Sequence, residues 1–404
     1  MHRISPLIAL LACTSSIGHA EVLQKPLLVP NDNSSPKSFS APITNLDNMQ
    51  YLTNITIGTP PQPLLALIDI SWSDTFAFSA TCADGPCQNH HHYAASASHT
   101  HSCDTARSKF IYTGLRAAGH LSKDTLSVAG LDVPNQLFHE LDRVKSVPTS
   151  FWRRDFDSVL GLAPPLEAWS LLGIESPFAG MVRLGLLPRN VVSIALGRTE
   201  GDVKVAGEIM FGGVNAEMFE AGEMVEIPLS NVTDPQPGSE DPFEVGPPLL
   251  NGTWRVETRG LSWGKGEGKS VDLAGFTARL DTAEPFVWLP EAAFKRLEEV
   301  IRPERIPDWP DSVSCERVGE LPGLMFDLGG HEFVLSPFDY TLEMEFGDLG
   351  VRCVVGLLPW AKEDKDEKDF IVLGTPFLRG YYTVLDFDQR SVGLARAKYR
   401  VAHG

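Results

Sequence analysis

Basic side chains are in short supply in this chain. Its 404 residues carry 34 Lys plus Arg against 52 Asp plus Glu, a formal net charge of -18. No basic stripe offsets that balance, which argues against nucleic acid as a partner. Beyond the first 20 residues, no run is long and apolar enough to cross a bilayer. The end of the chain, Ala395 to Arg400, is polar, so no lipid-anchor tail and no membrane anchor are expected. His90, His91, His92, His99 and His101 cluster beside Cys103, but without an HExxH-type spacing, so they read as a flexible polar loop and no metal site is assigned. No dinucleotide fingerprint occurs. Gly268-Lys269-Ser270 ends like a phosphate loop, yet Trp263 stands where its first glycine is required. Gly260-Leu261-Ser262-Trp263-Gly264 has the letters of a nucleophile elbow, but a turn follows it instead of a helix. No cofactor is expected.

Cysteine is also sparse, with 6 in all. Met1 to Ala20 reads as a secretory signal: His2 and Arg3 open it, Leu7 to Ala12 form its apolar centre, and Gly18-His19-Ala20 ends it. Of the cysteines left in an exported chain, Cys82 and Cys87 flank a short turn and are expected to pair. Cys315 and Cys353 are the expected second pair. Cys103 is then odd, either unpaired or competing for Cys82 or Cys87. Export also makes the sequons at Asn33, Asn54, Asn231 and Asn251 available for glycosylation. The acidic balance reads first as solubility, and it also suits a compartment below neutral pH.

Apolar content of 43%, 35 Gly and 30 Pro describe a globular, turn-rich chain, and its length calls for two lobes. Residues 21–45, rich in Pro, Ser and Asn, read as a short extended arm. The first lobe is expected over 46–205 and the second over 206–400, with 231–249 as a surface insertion. Alternation predicts strands over Tyr51–Gly58, Val191–Leu196 and Glu208–Gly213, and a hairpin from Phe110–Tyr112 to Leu126–Val128. Glu291 to Ile301 is the best helix, with Phe294, Leu297, Val300 and Ile301 on one face. The charged run Glu363–Asp369 reads as a solvated loop.

Two segments look like altered copies of one motif. Leu65 to Ser73 and Phe276 to Glu284 each run an apolar strand into an aspartate, Asp69 and Asp281. Each has a later partner, Val159-Leu160-Gly161 or Val372-Leu373-Gly374. Two carboxyls brought together at the waist of a bilobal protein cannot both ionise freely, so the pair can serve as acid and base.

These residues resemble the pepsin-like aspartic peptidases. The carriers are Tyr51–Gly58 with Thr59-Pro60-Pro61-Gln62, the two aspartates, Tyr112 with Gly119 and Asp124-Thr125, Asp157–Leu162, Gly207–Gly213, and the C-terminal strands. The Cys82–Cys87 turn is similar to the family's small disulfide loop. The resemblance implies an all-β, bilobal acid-protease fold of two β-barrel-like lobes with a central cleft. It further implies Asp69 and Asp281 as the catalytic pair sharing a water, and Tyr112 as the flap tyrosine.

The motif around each aspartate departs from the family's Asp-Thr/Ser-Gly plus hydroxyl residue. In the first copy, Ile70 replaces the cross-lobe hydroxyl, Ser71 a close-packed glycine and Trp72 the outer hydroxyl. Thr282 is kept in the second copy, with its reciprocal partner expected to be lost. Ala283 adds a Cβ there, and Glu284 either brings a third carboxyl to the pair or points to solvent. After Tyr112 the flap reads Thr113-Gly114-Leu115-Arg116, bulkier than the family's tip. Only 30 residues separate Ala20 from Tyr51, with Lys25 and Lys37 the basic ones, too short and weakly basic an arm to plug the cleft. Impaired or repurposed function is therefore expected ahead of ordinary acid endopeptidase activity. That means either acid/base chemistry on a small molecule, such as isomerisation or cyclisation, or ligand binding. The expected partner is a peptide or small molecule in the cleft of a monomer, in the secreted or vacuolar space.

Overall fold

The computed structural model describes residues 39–112, 115–146, 156–164, 174–199, 205–220, 222, 224–231, 253–264, 269–307, 309–360 and 369–398. The signal segment, the arm as far as residue 38, Asn33, Asn251, the insertion beyond Asn231 and the charged run up to residue 368 lie outside these residues.

The described chain is mostly strand, in a 13-stranded sheet, a 7-stranded sheet and a small 3-stranded one. Apolar alternation explains the first of these. In Gln50–Ile57 one face, Tyr51, Thr53, Ile55 and Ile57, is buried throughout, while the other face passes from buried Leu52 to exposed Asn54. It pairs antiparallel with Gln62–Asp69. The expected hairpin is real and longer than predicted: Ser102–Tyr112 runs antiparallel to Leu115–Val128, which pairs in turn with Leu131–Ser146. The last part of the segment read as an arm is built into the fold. Phe39–Leu46 is a strand held between Gln50–Ile57 and Val205–Phe211.

The two halves are not separated at the sheet level. Val191–Leu196, from the first half, pairs with Tyr381–Asp386, near the chain's end. Ser391–Arg396 and Val225–Pro228 extend that same sheet. Arg379 reinforces the junction. It is fully buried, and its guanidinium donates to the Asn48 carbonyl at 2.7 Å and to the Asp339 carbonyl at 2.7 Å.

The helix Glu291–Ile301 has the expected bounds, but its buried face is Ala293, Leu297 and Ile301. Val300, expected inside, is 47% exposed. At 100° per residue Val300 stands off the line through 293, 297 and 301, which the i, i+4 spacing aligns.

Both expected disulfides form, Cys82–Cys87 and Cys315–Cys353. Cys103 is exposed and takes part in neither. The histidine-rich loop is docked and not a loose polar tether. His91 donates its backbone N–H to Asp157 Oδ1 at 2.8 Å and places its ring Nδ1 2.9 Å from Asp157 Oδ2. His90 stacks on Phe78 with ring centroids 4.4 Å apart. Tyr93 is fully buried, its hydroxyl 2.6 Å from Asp124 Oδ2. Asn54 and Asn231 are both exposed, as glycan attachment would require.

Candidate active site

Two similar three-strand units carry the aspartates. In the first, Gln62–Asp69 pairs parallel with Ser158–Gly161, and Phe76–Phe78 runs antiparallel to the latter. In the second, Ser270–Leu280 pairs parallel with Phe370–Leu373, and Val287–Leu289 runs antiparallel to it. The chain therefore leaves each aspartate into a loop that folds back over a neighbouring glycine. A Cβ on Gly161 would strike the Ser73–Asp74 backbone, and one on Gly374 the carbonyls of Glu284 and Phe286. Only glycine lets these loops close on the strands.

Asp69 and Asp281 are both buried. Burial, and next the charge of Asp281, push the Asp69 carboxyl up to about 6 against hydrogen bonds from Tyr112 and Ser71.

Thr282 corrects one expectation. Its hydroxyl donates to the Ile68 carbonyl at 2.7 Å and accepts the Ile70 N–H at 3.1 Å, so it is fully partnered across the two halves. The partners are backbone groups, which Ile70 retains whatever its side chain. What Ile70 cannot do is return such a bond from a hydroxyl of its own. Ser71 corrects another. Beyond adding bulk, its N–H and its hydroxyl both donate to Asp69 Oδ1 at 2.8 Å. A hydroxyl contact to the Asp69 carboxylate is thus supplied from position 71, one residue before the one expected to provide it.

Trp72 is buried among aromatic rings, 5.3 Å from Tyr112 and 5.9 Å from Phe110 between centroids. Its indole Nε1 has no hydrogen-bond partner among the described residues. Tyr112 is buried as well, and its hydroxyl donates to Asp69 Oδ2 at 2.7 Å. Burial and the Asp69 charge hold the phenol well above its ordinary range, so it stays a donor. Phe76 packs edge-on against Tyr112 at 5.7 Å.

In the second half, the Ala283 N–H donates to Asp281 Oδ1 at 3.0 Å. Glu284 does not turn outward. It is half-buried, accepts the Phe286 N–H at 3.2 Å, and is pushed up to about 8 by burial and by the Asp281 charge. The third carboxyl is therefore present beside Asp281.

Sequence reading overlooked Arg279. Its Nη2 lies 3.2 Å from Asp281 Oδ2, as an ion pair with both side chains largely buried. The signal was available: in a strand, residues two apart share a face, so Arg279 and Asp281 point the same way. Its guanidinium also lies 5.6 Å from the centre of the Phe370 ring. Phe370 packs against Trp360, and Trp360 stacks on Trp288 at 5.2 Å.

Two strand units of one design, each presenting a buried carboxyl at its edge, define a protein of the aspartic-dyad class. A family profile described as eukaryotic aspartyl protease matches residues 50–397. Vacuolar protease A of Neurospora crassa is 29% identical over 363 residues, covering 88% of this chain and 81% of the relative. Gastricsin of Mus musculus is 30% identical over 345 residues, covering 85% and 80% respectively. A crystal structure of an aspartic proteinase from Irpex lacteus shares the fold, with a TM-score of 0.71 at 16% identity, covering 91% of this chain and 99% of that one. The chain belongs to the eukaryotic aspartyl protease family.

Proposed function

We propose that this chain is a pepsin-family protein whose cleft takes a peptide or small molecule, and whose dyad no longer runs ordinary acid proteolysis. The observation that carries this reading is that every oxygen of the two carboxyls already meets a donor of the protein's own. Asp69 Oδ1 accepts from Ser71, and Asp69 Oδ2 from Tyr112. Asp281 Oδ1 accepts from Ala283, and Asp281 Oδ2 faces Arg279. Water activation by a carboxylate pair needs acceptor oxygens aimed at the water, and here Ser71, Tyr112 and Arg279 contend for those oxygens. Tyr112 would also have to leave Asp69 before a substrate carbonyl could approach it. Trp72 packs behind that tyrosine and favours its inward position.

An acid held protonated in a covered cleft still suits proton transfer to a small molecule, so Asp69 would act as acid and Asp281 as base or counter-charge. The raised Asp69 and Glu284 carboxyls fit a protein that works in acid. The names of the relatives, vacuolar protease A and gastricsin, together with the signal-like start, support a secretory or vacuolar destination. A second reading, an active acid endopeptidase cleaving peptide bonds through Asp-activated water, is favoured by the intact Thr282 contacts and by those same names.

The deciding experiment incubates the purified chain with a mixed peptide library at acid pH, with and without pepstatin, beside an Asp69→Asn variant. No cleavage above the Asp69→Asn background is expected. Pepstatin-sensitive cleavage that Asp69→Asn abolishes overturns the proposal in favour of the second reading.

A further inference from the structure

The two acids stand in unequal company. Asp69 faces neutral donors, the Ser71 and Tyr112 hydroxyls and the Ser71 N–H. Asp281 faces a cation, with Arg279 Nη2 at 3.2 Å from Oδ2 and the two side chains 16% and 7% exposed. A guanidinium keeps its charge at any pH a protein survives. At such low exposure, solvent screening of the pair is weak. Other charged or titratable groups share the neighbourhood. Glu284 lies in the loop after Asp281, Tyr112 lies across the cleft, and Arg255 is the direct cross-strand partner of Arg279. Arg255 and Arg279 both lie over the Phe370 ring, at 4.9 and 5.6 Å from its centre. Like charges set opposite one another oppose pairing, and here the shared contact with the Phe370 ring and the Asp281 charge oppose that repulsion. Arg279 Nε is buried without a hydrogen bond, which leaves the Asp281 contact as its principal polar engagement among the described residues.

We propose that Arg279 is the positioning residue that makes the two acids inequivalent, holding Asp281 as the charged member so that the proton of the pair resides on Asp69. In a dyad of matched acids, one proton is shared and neither residue owns it. An arginine on one side breaks that balance, because moving the proton to Asp281 would strand the guanidinium beside a neutral acid. The chemistry then has a fixed direction: Asp69 donates and Asp281 accepts. This inference rests on the dyad being the working centre of the protein, but not on what it turns over.

The test is carboxyl-carbon NMR of the full chain carrying labelled aspartate, with Asp69 and Asp281 assigned through Asp→Asn variants. At about pH 5, below the Asp69 value of about 6, the unsubstituted chain is expected to give one protonated and one ionised signal, well separated. Arg279→Met is expected to draw the two together to about half that separation or less, as the proton becomes shared. Arg279→Gln, which keeps hydrogen-bonding capacity without charge, is expected to do the same, and Arg279→Lys to restore the separation. Full separation in Arg279→Gln overturns the proposal, as does failure of Arg279→Lys to restore it. The readout needs no turnover, so peptide cleavage by the chain would remove the proposed function and leave this inference to be judged on its own spectra.

Discussion

Thr282 of the second half and Ile68 of the first are joined by a hydrogen bond of 2.7 Å between hydroxyl and carbonyl. The same hydroxyl accepts the Ile70 N–H at 3.1 Å, so one side chain ties together both ends of the turn that carries Asp69. Thr282→Val keeps the shape and removes both bonds. The Ile68 carbonyl and the Ile70 N–H would lose a partner in a buried place. A loss of about 1–3 kcal/mol in unfolding free energy is expected, read from denaturant titration. An unchanged midpoint and slope would show that the bridge is ornamental to stability.

Stability should peak in acid. Asp69 and Glu284 are raised, to about 6 and about 8, so the folded chain binds protons there that the unfolded chain has released. Their contribution is full below their ordinary values and disappears as pH climbs through about 6 and then about 8. For Asp69 alone this amounts to roughly 3 kcal/mol. Asp157 acts in the opposite sense. Burial would raise it, but hydrogen bonds from His90, Leu65 N–H and His91 outweigh burial and hold it down to about 2. Its contribution is present above its ordinary value and is lost as pH falls toward about 2. Thermal melts across pH are expected to show a maximum near pH 4, where the Asp157 contribution is in place and those of Asp69 and Glu284 have barely begun to fade. A maximum at neutral pH would contradict the assigned directions.

Trp72 supports the inward tyrosine through ring contact, at the expense of an indole N–H without a partner among the described residues. Trp72→Ala should cost about 3–5 kcal/mol, the usual range for a buried tryptophan. It should also release Tyr112 from Asp69, which chemical protection of the tyrosine would reveal as faster nitration than in the unsubstituted chain. Equal nitration rates would mean that the hydroxyl bond alone holds the ring in place.

Much of this was written in the chain. The paired strand-aspartate copies located both carboxyls, because each copy needs an apolar strand and a glycine partner, and both leave marks in the letters. The helix bounds at 291 and 301 follow from the apolar period, whereas that period alone does not separate exposed Val300 from buried Ile301 beside it. The contacts of Thr282 were not legible, since its partners are peptide groups and any residue supplies those. The role of Ser71 was hidden for a related reason: a residue-by-residue comparison records a lost glycine and does not show where the new hydroxyl points. Arg279 stands two positions before Asp281, outside the four-residue motif, and its bearing on the acid comes from the strand's two-residue period, not from the motif's letters. The docking of the histidine loop depends on Asp157, which is more than fifty positions away, and no local pattern announces such a contact.

The sheet that takes strands from Phe39–Leu46, Val191–Leu196 and Tyr381–Asp386 has a consequence for anyone who would dissect the molecule. Cutting the polypeptide near its middle yields two pieces, neither of which owns a finished floor, each ending in raw strand edges that invite aggregation. Only co-expressed fragments, free to find one another, would be expected to regain a soluble whole.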